Sequence, residues 1–337
     1  ILTDSFGVDT LKGGPGNDAL AGGPGLGDLL QGGDGDDFFV GGNDGTESFG
    51  GEGNDFIYAG SAADVAMGDF GDDWIEGGAD ADVLSGDAAN PFLDDRFGGN
   101  DVLNGGAGGD SAIGEGGTDI FIHDTGTDDL DGGLGFDWYT HYGDPLAADT
   151  DLAVGELVPA PIDPLRDRFN LIEALSGWDK DDILRGDGPN PLDIGGNDMD
   201  PSVIALIPGL AQILPAGITF FVSGNIILGG AGSDLIEGRA DDDILDGDAW
   251  LRVQLEHNGI RYDSLSQLQA GVFAGTIDPG TITIVREILA GTPGSDIDTA
   301  VFQGPRADYD LTFTPHGVQV THARGGGLLG VDPGNDG

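Results

Sequence analysis

Gly32-Gly33-Asp34-Gly35-Asp36-Asp37-Phe38-Phe39-Val40 is followed in frame by Gly50-Gly51-Glu52-Gly53-Asn54-Asp55-Phe56-Ile57-Tyr58. Gly13-Gly14-Pro15-Gly16-Asn17-Asp18-Ala19-Leu20-Ala21 precedes them. The shared form is G-G-x-G-x-D-x-U-x, with U large and apolar. Further copies run from Gly68 to Glu76, Gly77 to Ser85, Gly105 to Ile113, Gly114 to Ile122 and Gly132 to Thr140, and after a break from Gly229 to Glu237 and Gly238 to Asp246. A flexible Gly/Asp-rich linker has no reason to place an apolar residue two positions after each aspartate.

Each part of the unit has a physical task. The glycines permit a tight turn and expose backbone carbonyls. The aspartate adds a hard carboxylate oxygen, and a divalent ion such as calcium takes six to eight oxygens in flexible geometry. The last three residues form a short strand whose side chains alternate. Leu20, Phe39, Ile57, Ile75, Leu84, Leu103, Phe121, Ile236 and Leu245 are thereby expected to point inward. With two units per turn of a coil, loops on one side recur every eighteen residues, as Asp37, Asp55 and Asp73 do. So do Asp64 and Asp82, and Asp101, Asp119 and Asp137.

The candidate metal ligands are the carboxylates of Asp18, Asp28, Asp37, Asp55, Asp64, Asp73, Asp82, Asp101, Asp110, Asp119, Asp137, Asp182, Asp234 and Asp243. They are joined by the carbonyls of Gly13, Gly32, Gly50, Gly68, Gly77, Gly105, Gly114, Gly229 and Gly238. Each ion is expected between stacked loops, because one loop offers too few oxygens. No catalytic residue is singled out.

Several copies are imperfect. Gly22 to Gln31 carries an extra residue at Leu26, and Gly41 to Phe49 puts Glu47 near the carboxylate position. Phe220 to Leu228 has Asn225 in place of aspartate. Gly291 to Thr299 keeps Asp296 but sets Asp298 at the inward position, where a charge is costly to bury, so that unit is expected to end a stack.

The expected fold is all-β: a parallel β-roll with non-repeat insertions containing short helices. Residues 1–140 form the first roll, with a loop at 86–97. Residues 141–219 form an insertion with one repeat at 177–185 and a non-periodic stretch around Pro159, Pro161 and Pro164. Residues 220–248 are a second block of repeats, 249–290 a further insertion, and 291–337 a terminal repeat and hairpin-like tail. No charge occurs between Pro201 and Ser233, but Pro208, Gly209, Pro215 and Gly217 break the stretch before it reaches the roughly 20 residues of a membrane-spanning helix. Short helices around Val203 to Leu214 and Asp263 to Ala270 are expected, with a strand at Thr281 to Val285.

Acidic residues outnumber basic ones 61 to 12, for a formal charge of −49. Such a chain repels itself and needs counter-charge to become compact. Phosphate binding needs a basic face, so nucleic acid is excluded as a partner, and an anionic membrane surface is disfavoured for the same reason. With no cysteine there is neither disulfide nor thiolate site, and a metal is the remaining staple. The chain begins Ile1-Leu2 with no methionine or signal peptide, which reads as a fragment or processed piece.

The nonapeptide resembles the calcium-binding repeat of RTX (hemolysin-type) proteins, whose stacked units form a parallel β-helix. Three further stretches are Asp137-Trp138-Tyr139, Leu175-Ser176-Gly177-Trp178-Asp179-Lys180-Asp181-Asp182-Ile183-Leu184, and Asp298-Thr299-Ala300-Val301-Phe302-Gln303-Gly304-Pro305-Arg306-Ala307-Asp308-Tyr309. Together they resemble the repeat region downstream of the haem domain in bacterial secreted haem peroxidases, a family that includes proteins implicated in manganese oxidation. The resemblance implies export by a type I system, calcium uptake outside the cell or at its surface, and a catalytic haem domain elsewhere in the polypeptide. His123, His141, His257, His316 and His322 do not sit in the family's haem-binding context and are expected as surface or loop residues.

Other chemistry lacks its motifs. Gly294-Ser295-Asp296 lacks the flanks of a nucleophile elbow, H-E-x-x-H is absent, and no glycine-rich loop ends in G-K-[ST]. The expected function is therefore a non-enzymatic calcium-binding module that folds on calcium uptake and stabilises or displays an attached extracellular enzyme. An adhesin or matrix protein with calcium-stabilised spacer rolls is the alternative. A fragment that presents Mn²⁺ to an oxidant is a third reading, since manganese also prefers oxygen ligands.

Overall fold

The computed structural model describes residues 1–4, 6–25, 27–87, 98–155, 166–188, 197–222, 224–291, 296–314 and 317–322. The loop expected at 86–97 lies outside them from residue 88, as do Leu26, Pro159, Pro161, Pro164, Gly294, Ser295 and His316. The chain divides into two compact units. One comprises Ile1–Asp137, Glu156–Asn170 and Val253–Val285; the other comprises Trp138–Gly155, Leu171–Arg252 and Arg286–Gly337.

The first unit is a parallel β-roll of two sheets. One sheet stacks Leu2–Thr3, Ala19–Ala21, Phe38–Val40, Phe56–Gly60, Trp74–Ala79, Val102–Ala107 and Ile120–Ile122 in that order. The other stacks Thr10–Pro15, Leu29–Asp34, Glu47–Glu52, Val65–Phe70, Val83–Asp87, Ser111–Ile113, Asp129–Asp131 and Arg168–Asn170. Successive strands of the chain alternate between sheets, so each strand pairs with the one a full coil away: Phe38↔Phe56, Phe39↔Ile57, Val40↔Tyr58. The excursion after Asp87 does not disturb the stack, because Trp74 pairs directly with Val102 and Leu103 with Ile75.

Period-two alternation fills the interior. Leu20, Phe39, Ile57, Ile75, Leu103 and Phe121 are buried on one inner face, against Leu30, Ser48, Ala66, Leu84, Ala112 and Leu130 on the other. Large side chains dominate the first face and small ones recur on the second, a pairing that packs a thin core densely. The outer faces differ. Phe38, Phe56, Trp74, Val102 and Ile120, one residue before each inward position, are also buried. Their counterparts on the other sheet include Thr10, Glu47 and Val83, which are exposed.

Part of the buried outer face is covered by residues 253–285. The 3₁₀ turn Leu265–Gln267 lies against Phe56–Gly60, and the helix Gln269–Phe273 sets the Phe273 ring edge-on to Phe38 at 6.3 Å. Glu76, buried beneath this cover, accepts hydrogen bonds from Trp74 Nε1, Ser264 Oγ and the Leu265 N–H, each at 2.8 Å. A buried carboxylate is tolerable only with such partners.

The second unit is a smaller roll on the same plan. Trp138–Thr140, Ala174–Ser176, Ile226–Leu228 and Ile244–Asp246 form one parallel stack, and Asp149–Asp151, Ile183–Arg185, Leu235–Glu237 and Thr299–Ala300 the other. The helix Pro201–Leu206, capped by Asp200, and the helix Leu210–Ile213 bury Val203 and Leu210 and meet the 283–290 strand, where the Ile288 N–H donates to Pro208 O. Tyr309–Thr314 and Gly317–His322 pair as an antiparallel hairpin. Among the described residues, no helix is long and apolar enough to cross a membrane.

Several sequence expectations need correction. In the irregular copy from Gly41 to Phe49, Thr46 and not Glu47 occupies the aspartate position: the Thr46 N–H donates to Asp64 Oδ1, and Glu47 lies in the strand with its side chain exposed. Asp298 is not inward. Leu235 pairs with Thr299 and Ile236 with Ala300, so Asp298 stands where Asp234 does one coil earlier, and the reading frame there is two residues out. Leu245 is only half-buried, in the last strand of its stack. His141 lies in a loop, one of the two expected settings, but is buried there, with Nε2 2.7 Å from Thr150 Oγ1. Within 141–219, strands Asp149–Asp151, Arg168–Asn170 and Ala174–Ser176 join the stacks without glycine-rich turns.

Candidate metal sites

The aspartates of the repeat form columns along the edges of the rolls. In one, the N–H of each aspartate donates to Oδ1 of the aspartate one coil on: Asp18 to Asp37 at 2.7 Å, Asp37 to Asp55 at 2.7 Å, Asp55 to Asp73 at 2.6 Å, Asp73 to Asp101 at 2.8 Å, Asp101 to Asp119 at 2.8 Å and Asp119 to Asp137 at 2.8 Å. The opposite edge repeats this through Asp9 to Asp28, Thr46 to Asp64, Asp64 to Asp82, Asp82 to Asp110, Asp110 to Asp128 and Asp128 to Asp167. In the second unit the Ala148 N–H donates to Asp182, Asp182 to Asp234, Asp234 to Asp298, and Asn225 to Asp243.

The second carboxylate oxygen has a different fate. Oδ2 of Asp37, Asp55, Asp64, Asp73, Asp82, Asp101, Asp110 and Asp234 is buried without a hydrogen-bond partner. Apart from Asp64, whose turn opens with Ala59 and whose Oδ2 lies by Gly60, each points at the first glycine of its own turn. A Cβ on Gly50 would fall 2.2 Å from Asp55 Oδ2 and 2.3 Å from the carbonyl oxygen of Gly68, one coil on. Gly32 meets Asp37 Oδ2 at 2.1 Å and Gly50 O at 2.5 Å, and Gly68 meets Asp73 Oδ2 at 2.0 Å and Gly86 O at 2.4 Å. Gly13, Gly77, Gly114 and Gly229 stand in the same relation to Asp18, Asp82, Asp119 and Asp234, and Gly105 and Gly238 meet Oδ2 of Asp110 and Asp243. A carboxylate from one turn and a carbonyl from the next thus converge, as hard-cation coordination between stacked loops requires. The glycines leave room for that convergence. The second of them also supplies a left-handed turn, as Gly51 does with φ of 120°.

Electrostatics point to a cation. Burial, reinforced by neighbouring aspartates, pushes Asp55 up to about 8 and Asp37 and Asp82 to about 7. Burial likewise raises Asp234 to about 7 and Asp64 to about 6, and holds Asp73 and Asp101 well above the usual carboxylate range. Stacked acids of this kind must take up either protons or a metal. The donor set is oxygen throughout, which suits calcium and offers a soft metal nothing. The residues present fit the ion.

All fourteen candidate aspartates occupy equivalent turn positions. Residues not singled out from the sequence extend the same columns: Asp9, Asp128, Asp167 and Asp298, with Gly22, Gly86, Gly177 and Gly247 at the first-glycine position. Their signal was the D-x-U triplet, kept in Asp9-Thr10-Leu11, Asp128-Asp129-Leu130 and Asp167-Arg168-Phe169 after the glycines are lost. Asp124 is a further case. It stands at the second-glycine position, and an oxygen each from Asp110, Asp124 and Asp128 lie within 4.8 Å of one another.

The family model described as RTX calcium-binding nonapeptide repeat (4 copies) matches residues 1–25, 48–73, 58–93, 96–130 and 223–249. These segments are calcium-binding repeats, and the cofactor of the chain is calcium, in several copies. No curated protein matches the chain.

Proposed function

We propose that this chain is a calcium-gated folding module of a secreted protein, and that it stabilises or displays an extracellular enzyme to which it is covalently joined. The observation that carries the reading is the column of buried Oδ2 atoms facing the glycine carbonyls of the next coil. Asp18, Asp28, Asp37, Asp55, Asp64, Asp73, Asp82, Asp101, Asp110, Asp119, Asp137, Asp182, Asp234 and Asp243 are the proposed carboxylate ligands, with the first-glycine carbonyls beside them. Bound calcium supplies the positive charge that lets these acids be buried as anions. The Oδ1 atoms hold successive coils in register, and the glycines keep the oxygens close.

Extracellular calcium modules have dissociation constants of roughly 10⁻⁴–10⁻³ M. At calcium tenfold above such a value each site adds about 1.4 kcal/mol to the folded state. At cytosolic calcium nearly all of that is missing, so the chain stays expanded, as threading through a type I secretion channel demands. The segment itself is proposed to be non-catalytic. The peroxidase-like stretches around Asp137, Trp178 and Asp298 favour a haem peroxidase or manganese oxidase as the attached enzyme over the adhesin alternative.

Calcium titration followed by far-ultraviolet circular dichroism tests the gate. A coil-like spectrum in EGTA that gains β signal cooperatively with calcium supports it, and a β spectrum unchanged by chelation refutes it. Full-length sequence tests the attachment: an upstream haem domain supports it, and tandem adhesive domains contradict it.

A further inference from the structure

In the second unit, the turns at Leu152, Gly186 and Gly238 stack in one column, as the Leu152 N–H bond to Arg185 O and the Gly186 N–H bond to Glu237 O show. Two of its departures from the repeat make this column less acidic, at Asn225 and Arg239, while Asp187 and Asp241 stand where the repeat has glycine, and Asn225 Nδ2 donates to Asp187 Oδ1 at 3.1 Å. Asn225 stands where aspartate is expected. Its N–H donates to Asp243 Oδ1 at 2.9 Å, and its side-chain oxygen lies 2.2 Å from where a Cβ on Gly186 would fall. That is the place Asp55 Oδ2 takes at Gly50, so one carboxylate has become a neutral amide.

Arg239 stands where the second glycine is expected, in a left-handed conformation (φ 84°) that long side chains seldom adopt. Its Nη1 and Nη2 donate to the two oxygens of Asp151, both at 2.6 Å. Nη1 also donates to the carbonyl of Gly186 at 2.8 Å. That carbonyl is the counterpart of Gly68 O, which in the glycine-rich turns converges with a carboxylate of the preceding coil. A guanidinium fork suits such a double engagement of carboxylate and carbonyl. The ion pair is largely sheltered from solvent, with the two side chains 23% and 19% exposed.

We propose that Arg239 is a resident cation standing in for a bound ion, so that the turns at Leu152 and Gly186 close without calcium. The glycine-rich turns between Gly13 and Asp137 need it. This inference rests on the calcium reading of those glycine-rich turns. It gives the second unit a segment that holds its order at calcium concentrations too low for the rest of the repeats, a nucleus on which calcium-dependent coils are added.

The test is amide hydrogen exchange by NMR on the whole chain as free calcium is lowered with EGTA. The reporters are the amides of Leu152 and Gly186 against those of Asp37 and Asp55. In the unaltered chain, Leu152 and Gly186 are expected to stay protected to calcium at least about tenfold below the level at which Asp37 and Asp55 open. Arg239→Gly restores the repeat and relieves the backbone, and is expected to erase that difference. Adding Asn225→Asp to it is expected to raise the calcium bound at saturation by one ion in equilibrium dialysis. Opening of all four amides at the same calcium level, or a difference that survives in Arg239→Gly, overturns the inference alone. Protection of Asp37 and Asp55 in chelator overturns the calcium reading and this contrast with it.

Discussion

Asp73 Oδ1 accepts the backbone N–H of Asp55 at 2.6 Å, while Asp73 Oδ2 is buried without a hydrogen-bond partner, 2.0 Å from where a Cβ on Gly68 would fall. One oxygen of the carboxylate joins two coils and the other is the one proposed to take calcium, so the two tasks can be separated by substitution.

Asp73→Asn keeps the coil-joining acceptor and removes the charge. At calcium about tenfold above the site's dissociation constant, the variant is expected to lose about 1.4 kcal/mol of stability. In EGTA it is expected to lose none. Thermal midpoints in calcium at neutral pH, and in EGTA at acid pH where the calcium-free chain keeps its β signal, check this, and equal losses in both conditions count against a metal-binding role.

Gly50→Ala and Gly14→Ala separate crowding from backbone strain. A Cβ at Gly50 collides with Asp55 Oδ2 and Gly68 O, whereas at Gly14 (φ 92°) nothing lies within 4 Å. Gly14→Ala is expected to cost roughly 1–2 kcal/mol through its left-handed backbone, with calcium stoichiometry unchanged. Gly50→Ala is expected to cost about 1–3 kcal/mol by overpacking and to lose calcium as well. Denaturant midpoints and equilibrium dialysis provide the two readouts.

The pH dependence of the calcium-free chain follows from the raised carboxylates. Their folded values, from about 6 at Asp64 through about 7 at Asp37, Asp82 and Asp234 to about 8 at Asp55, exceed the ordinary 3.8. Between 3.8 and these values the folded form binds more protons than the unfolded chain. Stability without calcium is therefore fully present below 3.8 and is lost as pH rises through about 6 to 8. Circular dichroism in EGTA is expected to show β signal at acid pH that fades toward pH 8, and a signal that strengthens with pH contradicts this.

Asp124→Gly restores the repeat where three carboxylates crowd together. Asp124 Oδ2 accepts the Gly106 N–H at 2.5 Å, and burial with the charge of Asp128 pushes its carboxyl up to about 8. Removing it is expected to let the β signal in EGTA persist to higher pH, because a crowded acid is gone, and to weaken calcium binding at that turn. Calorimetric titration is expected to show the tightest class of sites reduced by one.

The architecture was legible because two signals agree in every regular copy. Glycine at Gly32, Gly33 and Gly35 sets the turn, and Asp37-Phe38-Phe39 sets the strand and its inward side chain. Where the signals part, the reading failed. Asp298-Thr299-Ala300 keeps a strand position with no preceding glycine turn, and the frame slipped by two residues. Thr46 fills an aspartate position because a hydroxyl is small and polar enough for the turn, which no charge pattern reveals. The cover formed by Leu265 and Phe273 was not legible either. The buried outer row Phe38, Phe56 and Trp74 sits at the variable seventh position of the repeat, and its partners are more than two hundred residues from Phe38 in sequence. The resident Arg239 depends on Asp151 and Gly186, brought together only by the stacking of coils.

Small-angle X-ray scattering of the whole chain near neutral pH, in EGTA and then in millimolar calcium, tests calcium-gated folding most directly. The expected result is a radius of gyration in EGTA on the order of 60 Å, as for an expanded chain of this length, that falls to less than half on adding calcium. A chain equally compact in both conditions contradicts it.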